Sequence, residues 1–156
     1  MNWKLVLQLS LFGVAMGIGT VSLIPSDFEP ICWLVIFVVS ACLIATRCPG
    51  RYFLHGLLVS VANSVWVTAS HVLFFNQYVA NHAAEASMMA SIPVSVSPRV
   101  AMAVMGLVVG LISGCVLGVF AVVASRLVSR GSAAEAEDQE QSQAERPRHG
   151  GVVSTR

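Results

Sequence analysis

The chain has 156 residues, of which 56% are hydrophobic and only 11% charged, with a mean hydropathy of +0.76 and a formal net charge of +1. Soluble domains are typically about one quarter charged, so this composition excludes an ordinary water-soluble domain. Near-neutral charge gives no basic excess that would attract nucleic acid, and the expected partner is a lipid bilayer.

Within residues 5–46 the charged side chains are Asp27 and Glu29, and within 52–125 they are Glu85 and Arg99. A hydrocarbon core about 30 Å thick takes roughly 20 helical residues. The apolar runs accordingly predict four spans at about 5–24, 27–46, 52–75 and 98–127. The first run exceeds the ~7–15 residues of a secretory signal core and lacks an A-x-A site, which marks it as a retained helix. It carries Ser10, Gly13, Gly17 and Thr20, a small-residue face with Gly13 and Gly17 at its centre. The second opens on Ser26-x-x-Glu29, a capping-box pattern, with Pro30 in the first turn where a missing N–H does least harm.

The third span follows the turn Cys48-Pro49-Gly50-Arg51 and is the most polar. Ser60, Ser64, Thr68 and His71 recur within an arc of about 80° at 100° per residue, with Asn63 beside them. Hydroxyl and imidazole groups inside a bilayer tend to face protein or water, so this stripe is the expected inward face. Interhelical hydrogen bonding explains it most simply. A polar path or ligand pocket is the functional alternative, although no Asp, Glu, Lys or Arg lies within the span to partner His71.

Residues 76–97 form the one long connection, whose Ala- and Met-rich part (77–91) predicts a short amphipathic helix, on the membrane surface or, as the alternative, capping the bundle. Tyr78, His82, Glu85 and Met89 fall on one side of it, since residues three or four apart are helix neighbours. Thioether and imidazole groups suit a soft metal. However, His82-x-x-Glu85 together with His71, Met88 and Met89 is no recognisable ligand set, and neither a metal nor a cofactor is expected.

Ser97-Pro98 reads as the cap and first position of the fourth helix. Gly106, Gly110, Gly114 and Gly118 follow at steps of four, a glycine zipper. Four glycines concede about 4 kcal/mol of helix propensity against alanine in water. Close backbone approach of another helix can return that cost in a bilayer. The expected partner is the Gly13/Gly17 face of the first helix, with a homo-oligomer or a pore lining as the alternatives. Beyond Arg130 the composition turns to Ala, Glu, Gln, Ser and Arg, and residues 131–156 are expected to form a disordered tail.

Lys4, Arg47, Arg51, Arg126 and Arg130 fall on one side of such a four-pass topology, against Arg99 on the other. By the positive-inside rule both termini are cytoplasmic. Cys32, Cys42, Cys48 and Cys115 have no metal spacing and read as free thiols.

The opening MNWKLVLQLSLFGVAMG, the turn P-x-x-x-x-PICWLVIF, YFLHGLLVS in the third span and GLVVGLISG in the fourth resemble small bacterial four-pass membrane proteins grouped as domains of unknown function. The resemblance covers about residues 1–130 and implies a bacterial inner membrane, with no activity or site residue attached. The sequence thus predicts an all-α bundle of four transmembrane helices in residues 1–130. The expected role is non-enzymatic, through helix packing with itself or a membrane partner. The alternative is a small transporter or channel subunit using the polar face of the third helix.

Overall fold

The computed structural model describes residues 1–91 and 97–144. It is all-helical over the described residues: α1 Trp3–Ser22, α2 Glu29–Arg47, α3 Tyr52–Leu73, α4 Phe75–Asn81, α5 Ala83–Ala90 and α6 Pro98–Ala144. α1, α2, α3 and the Pro98–Ser129 part of α6 are each long and apolar enough to cross a membrane.

Local chemistry explains most of the helix ends. The Asn2 side chain caps α1 by accepting from the Leu5 amide at 3.2 Å. The amides of Leu23 and Ile24 both donate back to the Gly19 carbonyl, ending the helix. α3 starts after Arg51, whose left-handed φ of 54° is uncommon for a residue with a side chain and makes the sharp reversal from α2.

The expected Ser26 capping box does not form. α2 begins at Glu29 with Phe28 as its N-cap and no side-chain cap bond. The Glu29 carboxylate instead accepts from the Trp33 indole N–H at 3.2 Å, one turn into the helix.

α3 is the central helix. It packs along α1 on one side and α6 on the other, while α2 lies against α6 and touches α1 and α3 only lightly. The four long helices converge at the end that carries Arg47 and Arg51, here the basic end. Leu5, Val6 and Leu9 of α1, Ala41 and Ile44 of α2, Cys48, Val59 of α3 and Leu117 and Ala121 of α6 form the core there. Burial also pushes the Cys48 thiol above its usual pKa. Toward the opposite end, which holds α4 and α5, α2 diverges: its buried residues are Ser40, Ala41, Ile44 and Ala45, all in its basic-end half. The exterior is apolar, with Leu7, Leu11, Ile18, Val35, Val104 and Ile112 exposed.

Three expectations change here. The glycine face of α6 and the Gly13/Gly17 face of α1 do not meet; each turns to α3. The connection after α3 is not one surface helix but two short ones broken at His82, whose φ of −126° and ψ of 80° leave the helical region. Its Tyr78 and His82 are buried, so it caps the bundle. Finally, the last helix runs past Arg130 to Ala144, because 132–144 is made largely of Ala, Glu and Gln, which favour helix. The rest of the expected tail, 145–156, lies outside the described residues, as does the 92–96 part of the long connection.

Candidate functional site

The small residues of α1, α3 and α6 set the geometry. A Cβ on Gly13 would stand 2.6 Å from the Asn63 Cα, and one on Gly17 would stand 2.8 Å from the Ser70 hydroxyl. On the other side of α3, Gly106 faces Thr68, Gly110 faces Ser64, Gly114 faces Leu57 and Gly118 faces Phe53. Gly56 of α3 adds to this second seam, since its Cβ would lie 2.7 Å from the Gly118 Cα. The sequence marked the glycines of α6 but not Gly56. Its signal is its place in register with Ser60, Asn63 and Ser64, one or two turns away on α3.

These seams divide the polar stripe of α3 into two groups. Asn63 and His71 turn to α1. The Asn63 Oδ1 accepts the Gly13 amide at 2.7 Å, an additional bond to an already helical N–H that is accessible because Gly13 has no side chain. Thr20 donates its hydroxyl proton to the Met16 carbonyl at 2.8 Å, so its oxygen accepts from the His71 Nε2–H, also at 2.8 Å. His71 then stacks on Tyr78 with ring centroids 4.0 Å apart, and Tyr78 on His82 at 4.2 Å. His82 donates from Nδ1 to the Tyr78 carbonyl at 3.0 Å, leaving its buried Nε2 without a partner. Asn81 ties this cap to α1 by donating to the Val21 carbonyl at 2.8 Å. Burial, then the charges of Glu85 and Glu29, push the Tyr78 phenol up to about 12.

Ser60, Ser64 and Thr68 turn to α6 and to the space that α2 leaves open. Ser60 donates to the Gly110 carbonyl, a long bond of 3.4 Å, and Ser64 to its own helix at Val61, 2.8 Å. Between α2, α3 and α6 lies a cavity of about 640 Å³. Ser60, Asn63, Ser64 and Thr68 form its polar wall, joined by Ser113 of α6. Trp33, Phe37 and Phe120 supply the aromatic walls, and Phe37 and Phe120 meet edge to face at 6.4 Å toward the basic end. Ser26, Glu29 and Glu85 stand at the opposite end, so the mouth carries two carboxylates. A cleft of roughly 300–1,000 Å³ that is mainly apolar, with a few converging polar groups, is the usual form of a small-molecule site.

His71, grouped by sequence with the other polar residues, is not among the residues lining this cavity. Phe37, Phe120, Trp33 and Ser113 were not singled out from sequence. Their spacing in α2 and α6 gives no polar stripe, and only the divergence of α2 brings them together. No group of three His, Cys, Asp or Glu that could hold a metal occurs among the described residues, and the four cysteines are unpaired. Of the expected His82-x-x-Glu85 pair, His82 Nδ1 is directed to the Tyr78 carbonyl, while His82 Nε2 and Glu85 Oε2 are buried without a partner. The chain matches no protein-family model, no curated protein and no solved structure.

Proposed function

We propose that this chain is a non-enzymatic multi-pass protein of the bacterial inner membrane that binds a small molecule, as a transporter or transport component, in the cavity walled by α3. The observation that carries this reading is the 640 Å³ space along Ser60, Asn63, Ser64 and Thr68, beside the close glycine contacts that join α3 to α1 and α6. Its apolar exterior suits lipid, and its basic residues put both termini in the cytoplasm. The cavity mouth then faces the extracytoplasmic side. Self-association through the glycine zipper is less favoured, because Gly106, Gly110, Gly114 and Gly118 are already covered by α3 of the same chain.

Cysteine accessibility tests the reading. In a chain whose four native cysteines are replaced by alanine, Ser64→Cys and Thr68→Cys should react with a membrane-impermeant maleimide added from the extracytoplasmic side. Val59→Cys, at a fully buried position of the same helix, should not. Protection of both Ser64→Cys and Thr68→Cys from reagents on either side would overturn the proposal. A reporter joined to the C-terminus should be active only in the cytoplasm, and an extracytoplasmic signal would reverse the orientation.

A further inference from the structure

The charge of the cavity is one-sided. Glu29 and Glu85 both line it, and none of its lining residues is basic. Arg99, the cation of the same end of the bundle, is placed with its guanidinium over the Phe75 ring, 5.6 Å from the centroid. Glu29 is held by the Trp33 indole through Oε1, whereas the Glu85 Oε2 is buried and has no hydrogen-bond partner. A buried carboxylate oxygen without a partner is costly, and a cation or donor arriving from outside relieves that cost.

A second polar group, on a different helix, points the same way. Asn63 is only 2% exposed and also lines the cavity. Its Oδ1 is directed at α1, where it accepts from Gly13, so the other branch of the amide is turned from α1. That branch, Nδ2, has no acceptor. It lies about 8 Å inward of Thr68 along α3, at 1.5 Å per residue. Trp33, Phe37 and Phe120 lie along the same chamber, and aromatic faces attract cations. An inorganic ion such as calcium takes six to eight oxygen ligands, which these largely apolar walls do not offer.

We propose that the cavity recognises an organic ammonium cation with an apolar or aromatic body that carries a hydrogen-bond acceptor. The ammonium sits at Glu85 and Glu29 beside Trp33, the body lies along Phe37 and Phe120, and the acceptor takes the free N–H of Asn63. This inference deepens the preceding proposal and rests on the cavity being a binding site. The ammonium comes either from a free amine or from a lipid headgroup.

The test uses the full chain with Trp3→Phe and Trp66→Phe, so that Trp33 is its remaining indole. The chain is placed in nanodiscs of phosphatidylglycerol, which contains no ammonium. Two probes of nearly equal shape are titrated against Trp33 fluorescence: benzoylcholine and its uncharged isostere 3,3-dimethylbutyl benzoate. Benzoylcholine should saturate the signal at a concentration at least about tenfold lower than the isostere. Glu85→Gln and Glu29→Gln should each remove most of that preference while leaving the isostere's response within about twofold.

Equal saturation by both probes would overturn the cation assignment and leave the cavity reading standing. Saturation by neither would overturn both. Phosphatidylethanolamine added to the nanodiscs separates the two sources: if it displaces benzoylcholine the headgroup is the ligand, and if it does not the ligand is a free amine. Either result supports the ammonium class.

Discussion

α1 and α2 are nearly the same length, 20 and 19 residues, and both are apolar, yet they are packed very differently. Of their most apolar windows, 56% is buried in α1 and 22% in α2, although α2 has the higher hydropathy, 2.1 against 1.8. Between these two helices, burial therefore follows residue size rather than apolarity. α1 presents Ser10, Gly13, Gly17 and Thr20 to its neighbours and is buried along its length. α2 has Ser40, Ala41, Ala45 and Thr46 in the half that packs; its other half carries the larger Ile31, Trp33, Leu34 and Val35 and diverges. This is the expected behaviour where lipid is as good a neighbour as another side chain, and only close backbone approach or hydrogen bonding favours protein contact. The chamber exists because one helix has small residues over only half its length.

That contrast can be broken at the glycine seam. Gly56→Leu should have the largest effect, because its Cβ already meets the Gly118 backbone and no flexible side chain can yield. A loss of at least about 3 kcal/mol in reversible unfolding in detergent is expected, at the upper end of overpacking costs. Asn63→Ala comes next. It removes the acceptor that holds Gly13, and a cost of about 1–3 kcal/mol is expected from the same measurement. No change in unfolding would mean that the Asn63–Gly13 bond contributes nothing to holding α1 on α3.

The cap over α1 gives a third, milder test through pH. In a Tyr52→Phe chain, the phenolate absorbance of Tyr78 should rise with a midpoint near 12, rather than the ordinary value of about 10. Because the folded pKa is raised, the linked stability is fully present below pH 10 and is lost as pH climbs from about 10 to 12. A midpoint at 10 would mean that the cap is open to water. The smallest effect is expected at Gly131, where a Cβ would meet nothing within 4 Å. Gly131→Ala should increase helix content or amide protection around it, by up to about 1 kcal/mol, and leave the melting of the bundle unchanged.

Much of the fold was legible in the sequence, since hydropathy and length alone delimit four long helices. The small residues Gly13, Gly17, Gly106, Gly110, Gly114 and Gly118 were visible as close-approach surfaces, but their pairing was not. Periodicity reports a face and not its neighbour: α3 takes the α6 glycines on its Gly56, Ser64 and Thr68 side and the α1 glycines on its Asn63 and Ser70 side. The polar stripe was visible as one unit. Its division arose because Asn63 and His71 find specific partners in Gly13 and Thr20, residues of a helix distant in sequence. The aromatic half of the chamber was not legible, because it depends on where α2 separates. The division of the cap into two helices was missed because the break at His82 has no glycine or proline to announce it.

Ser113 and Gly114 test the central contrast most directly, as neighbours in α6 on opposite sides of the boundary. Ser113 lines the chamber, and Gly114 lies against Leu57, with its Cβ position 2.7 Å from that side chain. The decisive measurement is the melting temperature of Ser113→Leu and Gly114→Leu, each in the full chain and the same detergent. A real chamber beside a closed seam predicts that Ser113→Leu melts at or above the parent temperature while Gly114→Leu melts well below it. Equal losses from both substitutions would contradict the division of this bundle into a glycine seam and an open chamber.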